Sequence, residues 1–204
     1  RRETPSSTVA PVTETSATDK TVENPIDFAE LTAQNKEIYA WIKVPGTKVD
    51  YPIVQSATSD EFYLKHDAYT RQWKASGAVY IELGNTKTFE DRVTVIYGHN
   101  GYSDSMFTTL HLFEDKAFFD AHEEFYIYTP EAKRTYRIVS AFKYDDRHIL
   151  NSFDFQDMGA LRDFLDTVQN PQSNNKNVRK PLDNELTIND NIVVLSTCFT
   201  NQRS

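Results

Sequence analysis

Residues 192–198 read Ile-Val-Val-Leu-Ser-Thr-Cys, the most apolar run in the chain, and the polar stretch FTNQRS follows directly (199–204). Six branched apolar and hydroxyl residues in a row, with no helical spacing, predict a buried strand rather than a helix. Residues 93–97, Val-Thr-Val-Ile-Tyr, repeat the pattern and run into Gly98, His99 and Asn100. Gly98 allows a sharp bend there. Each buried strand therefore ends on a side chain with chemistry, Cys198 on one and His99 on the other. A thiol at a strand end beside a loop can be reached by solvent and substrate, and it needs a base or an electropositive setting to become a thiolate. Taken alone, each residue has an ordinary alternative: a lone Cys on an apolar strand packs as a small core residue, and a turn histidine is simply exposed.

Outward from these two segments the chain is rich in strands. Candidates are Tyr39–Val44, Val49–Gln55, Gly77–Leu83, Phe125–Thr129 and Thr135–Tyr144. Pro45-Gly46 and Thr129-Pro130 mark turns between some of them. Helices are predicted over Pro25–Gln34 (with Asn24 as its cap), Asp115–His122 and Phe155–Val168. The last carries Phe155, Met158, Leu161, Leu165 and Val168 on one stripe, and Asn170-Pro171 stops it. The polar stretch QSNNKNVRKPLDNE (172–185) predicts a mobile surface loop. Many strands, few helices and no βαβ alternation favour a mainly β, closed or nearly closed barrel with inserted helices.

The first 23 residues are mostly Ser, Thr, Pro and Ala and predict a disordered linker or stalk; the folded domain is expected over 24–204. A formal charge of −8 leaves no basic excess for a nucleic-acid backbone. The single cysteine excludes an internal disulfide and a cysteine-based zinc site. No apolar run has membrane-spanning length. His122 has no second histidine at metal-ligand spacing, and the remaining histidines are His66, His111 and His148.

The pair VIYGHN and VVLSTC, in that order and about a hundred residues apart, resembles the sortase family, whose signature is a Leu-x-Thr-Cys strand end preceded by a strand-turn histidine. The segment NPIDFAELTAQNKEIYAWIKVPGTKVDYPIVQS (24–56) is similar to the N-terminal helix and first strands of class B members. DEFYLKHD, GAVYIE, SMFTTLHLF and FFDAHEEFYIYTP follow in the same order, and the helix over Phe155–Val168 corresponds to the class B insertion. The resemblance spans Asn24 to Cys198.

It implies a cysteine transpeptidase, held by an N-terminal segment on the extracellular face of a Gram-positive membrane. Its partners would be the sorting signal of a secreted surface protein and an amine of peptidoglycan or a pilin, with no cofactor and no metal. Cys198 would be the nucleophile and His99 the acid/base. Thr197 would help to position substrate or an oxyanion, or else fill the strand as a β-branched residue. Tyr97 and Asn100 are expected to flank the cleft without a chemical role, and the Val168–Leu186 region to tune specificity. The family also carries an arginine on the strand after the cysteine. Six residues follow Cys198 and the single arginine among them is Arg203. Arg203 fills that role at unusual spacing, or the final strand lies beyond the chain and leaves an unpaired barrel edge. Two other classes fit parts of the pattern. A papain-like hydrolase would put its cysteine on a helix and before its histidine, and a non-catalytic surface β domain would hold Cys198 inert.

Overall fold

The computed structural model describes residues 7–14, 24–101, 103–144, 149–180 and 185–198. Its elements in chain order begin with β1 (Ser7–Glu14), α1 (Phe28–Gln34), β2 (Ile38–Lys43), β3 (Asp50–Val54), β4 (Val79–Tyr80) and β5 (Val93–His99). A 3-10 helix (Thr108–Glu114) and α2 (Lys116–Ala121) lead to β6 (Glu124–Tyr128), β7 (Lys133–Ile138) and β8 (Ser140–Tyr144). The chain continues through α3 (Ile149–Ser152), α4 (Met158–Gln169), β9 (Lys176–Val178) and β10 (Ile192–Cys198).

The strands form one sheet in the order β10-β5-β4-β3-β2-β6-β7-β1-β8-β9, and a further β10–β1 pairing closes it into a barrel. The mainly β barrel with inserted helices is thus the observed fold. Two apolar clusters pack on the two faces of its sheet. One contains Ile42, Ile53, Ile96, Phe125, Tyr136, Val193 and Leu195; the other contains Val95, Tyr97, Val194, Phe164, Leu165 and Val168. Neighbours along β10 alternate between these clusters, as do those along β5. Both faces of each strand are buried, which is why IVVLSTC and VTVIY are apolar without alternation.

Helix α4 covers one of those faces. Asp157 Oδ1 accepts from Ala160 N at 2.8 Å and caps its start, while Leu161, Phe164, Leu165 and Val168 point into the core. Ser140 Oγ donates to Val168 O at 2.7 Å and pins its last turn to β8. Phe155 precedes the helix and meets Phe164 edge-on with ring centroids 5.0 Å apart.

Several local expectations are corrected. Helix α1 is capped by Asp27, whose Oδ1 accepts from Glu30 N at 2.9 Å; Asn24 instead donates from Nδ2 to Thr129 O at 2.9 Å. The strand predicted over Thr135–Tyr144 divides at Val139 into β7 and β8. The 172–185 stretch contains a strand, because Lys176–Val178 pairs with Ser140–Phe142. The linker predicted over residues 1–23 contains β1, which pairs antiparallel with β10 from Val9↔Ser196 to Thr13↔Ile192. The expected open edge is therefore covered. Val9, Val12, Thr8 and Thr13 supply β-branched residues that suit a strand. Pro11 has no N–H to give, and it falls where β1 steps from β8 (7–9) to β7 (12–14). Residues 1–6 and 15–23 lie outside the described residues.

Deleting residues 7–14 should accelerate hydrogen exchange of the alternate β10 amides that face β1, leaving those that face β5 slow. Unchanged exchange on both sides would show that β1 does not cover this edge.

Candidate active site

Parallel pairing of β10 with β5 runs without a break from Ile192↔Val93 through Thr197↔Gly98 to Cys198↔His99. Hydrogen-bonded strands lie about 4.8 Å apart, so the two backbones that end on Cys198 and His99 are immediate neighbours. Parallel register also carries both residues to the same pole of the barrel. Residues separated by about a hundred positions meet because two seven-residue strands start level.

Strand β5 continues straight through Gly98, so the expected bend is absent and the glycine has another purpose. A Cβ built there would lie 2.3 Å from Cγ of Phe107. Only glycine lets the Phe107 ring rest on the strand. The loop after His99 then folds back: Phe107 N donates to His99 O at 3.0 Å, and Gly101 N donates to Thr108 Oγ1 at 3.0 Å. The carbonyl of the last residue of β5 and the amide two residues beyond it are thus both tied to the returning segment.

His99 is half-buried, and desolvation lowers its pKa from the ordinary 6.5. The ring is therefore neutral near pH 7, and once protonated it gives up its proton readily. Beside it, Leu64, Ser76, Ala78, Tyr80, Tyr97 and Gly98 line a narrow recess. Tyr80 and Tyr97 stack there with centroids 5.4 Å apart. Tyr97 is buried in this stack.

Thr197 is fully buried beside Gly98. Arg203 lies outside the described residues. No group of three or more His, Cys, Asp or Glu able to hold a metal occurs among the described residues. A separate cleft of about 770 Å³ opens at the other end of β5, where Val93 lies among Asp60, Glu82, Glu90 and Asp91. Among the described residues its lining has neither cysteine nor histidine. Within the Val168–Leu186 region, β9 is tied to the 3-10 helix: Asn177 Nδ2 donates to Phe113 O at 2.8 Å and Glu114 O at 3.0 Å. Sequence reasoning missed the polar contacts of Asn100, His111 and Glu114, whose one legible sign is the three-residue spacing of His111 and Glu114.

The Sortase domain family matches residues 42–204. The chain belongs to the sortase family. It is 31% identical over 180 residues to Sortase B of Listeria monocytogenes, covering 85% of this chain and 68% of that protein. A class B sortase of Streptococcus pyogenes involved in pilus biogenesis superimposes with a TM-score of 0.72 at 31% identity, covering 86% of this chain and 91% of that one. A Staphylococcus aureus sortase B–substrate complex gives 0.73 at 26% identity, covering 86% and 77%. The class B assignment holds on all three. Sortases are cysteine transpeptidases of the extracellular surface of Gram-positive bacteria, acting on sorting signals with cell-wall or pilin acceptors, and this chain is one of them. No described helix is long and apolar enough to cross a membrane.

Two outcomes follow from the geometry at His99. Gly98→Ala should cost about 1–3 kcal/mol in denaturant unfolding, because the new methyl meets an aromatic ring packed in the core. A folded-state pKa held below 6.5 means that the unfolded chain binds more protons between those two values. The contribution of His99 to stability is complete above pH 6.5 and is lost as pH falls through the folded-state value. His99→Gln should flatten unfolding free energy against pH in that window, and an unaltered slope would contradict it.

Proposed function

We propose that Cys198 and His99 are the nucleophile and the acid/base of this transpeptidase. The observation that carries the reading is the unbroken β10–β5 register, which ends on Cys198↔His99. His99 takes the proton of the Cys198 thiol, the thiolate so formed attacks the scissile carbonyl of the sorting signal, and the tetrahedral intermediate collapses to a thioester. His99 delivers a proton to the departing amine, a step suited to an imidazole whose charged form is disfavoured by burial. An incoming amine then attacks the thioester, gives its proton to His99 and leaves with the acyl group, and His99 returns that proton to the departing thiolate, restoring the thiol. Thr197, buried beside Gly98, steadies the strand end that presents Cys198. Arg203 is the candidate donor for the developing oxyanion, since a guanidinium offers fixed N–H groups to a negative oxygen.

The Val168–Leu186 region sets which sorting motif is accepted. An N-terminal segment anchors the enzyme at the membrane surface. Amines of peptidoglycan and of a pilin subunit fit the same second step.

Incubating the protein with a library of sorting pentapeptides and measuring its intact mass should reveal an acyl adduct on Cys198. An added amine should discharge the adduct to a peptide–amine product. Cys198→Ala should form no adduct, and His99→Ala should lower its rate of formation by about 10²–10⁴. Arg203→Ala should slow acylation if Arg203 serves the oxyanion. Hydrolysis products that are indifferent to the amine would replace transfer with proteolysis, and an adduct on another residue would overturn the assignment.

A further inference from the structure

Past the end of β5, four polar side chains form a line. Asn100 Nδ2 lies 2.8 Å from Nε2 of His111, and His111 Nδ1 lies 2.6 Å from Oε1 of Glu114. The other oxygen of Glu114 accepts from Asn175 Nδ2 at 3.0 Å. The chemistry of these groups orients every bond. A carboxylate only accepts, so His111 carries its proton on Nδ1, and the neutral ring then offers the Nε2 lone pair to the Asn100 amide. Burial alone would raise the pKa of Glu114, but hydrogen bonds from His111 and Asn175, with Lys143 nearby, hold it below the ordinary value. Glu114 is therefore the charged end of the line.

Local structure explains why these side chains meet. His111 and Glu114 sit three residues apart on the 3-10 helix Thr108–Glu114, where residues at that spacing eclipse one another. The helix is tied on one side to the residues after His99 and on the other to the start of β9, through Asn175 and Asn177. It therefore acts as a bracket between the loop that ends β5 and the segment expected to read substrate. Nothing in the described acyl-transfer steps uses His111 or Glu114.

We propose that His111, oriented by Glu114, is a positioning residue for acyl transfer: it fixes Asn100 and so holds the end of β5 that presents His99. The inference rests on His99 being the acid/base. It adds a requirement on the enzyme that Cys198 and His99 alone do not contain. Without the His111 acceptor, Asn100 loses its tether, the loop admits water, and His99 samples orientations away from the reacting atoms. A misplacement of that kind lowers turnover more than binding.

Long-range ¹H–¹⁵N spectra of the imidazoles test this without substrate. His111 should show the Nδ1–H tautomer in the wild type. His111→Ala should raise the titration midpoint of His99 towards the ordinary value, because its desolvation is relieved. His111→Gln, whose side-chain oxygen can accept from Asn100 in place of Nε2, should return the midpoint towards that of the wild type. With a sorting peptide selected by the wild-type protein, His111→Ala should lower kcat about tenfold and change KM by less than about twofold, and His111→Gln should recover most of the loss. An identical His99 midpoint in wild type and His111→Ala would overturn the proposal. So would a His111→Gln protein displaced as far as His111→Ala. If no sorting peptide is turned over, the Cys–His reading fails on its own test, while the His99 midpoint still decides the role of His111.

Discussion

The structure depends on one pairing, the parallel ladder between β10 and β5. Each strand alone carries a residue with modest chemical promise. Side by side, and level at their starts, they bring a thiol-bearing residue and an imidazole to one pole of the barrel. Register is enforced by burial on both faces. A slip of one residue would move Val193 and Leu195 out of one apolar cluster and Val194 out of the other. Packing energy that stabilises the barrel therefore also sets the alignment of the site.

Around that ladder, the remaining devices act on its ends. Gly98 admits the Phe107 ring, and Phe107 N returns a hydrogen bond to His99 O, so the strand terminates at a defined residue. β1 on one side and β5 on the other leave β10 without an open edge among the described residues. The 3-10 helix links the turn after His99 to β9, joining the proposed acid/base to the segment proposed to choose substrate. Stability, alignment and access thus share the same few contacts.

Much of this was legible in the chain. The apolar runs before Cys198 and His99, the stripe on α4 and the mixture of many strands with few helices all express burial, which composition and spacing record directly. The closing strand was not legible. STVAPVTE looks like linker because its residues are small and polar, and its strand form depends on an acceptor edge more than a hundred residues away in sequence. Asn24 reads as a cap by type, yet Asp27 takes that place because its carboxylate reaches Glu30 N while Asn24 is drawn to Thr129 O. Gly98 reads as a bend, yet its need for space comes from Phe107, a partner that spacing alone does not reveal. Of the Asn100–His111–Glu114 line only the His111–Glu114 spacing was legible, since Asn100 joins it only when a loop folds back.

The central claim is that β10–β5 pairing places a working thiol beside His99. The rate at which iodoacetamide alkylates Cys198 in the native protein, followed against pH, tests it most directly. The expected result is modification without denaturant, with a pH profile that changes when His99 is replaced by alanine. A thiol that reacts only after unfolding, or a profile indifferent to the His99 substitution, would contradict it.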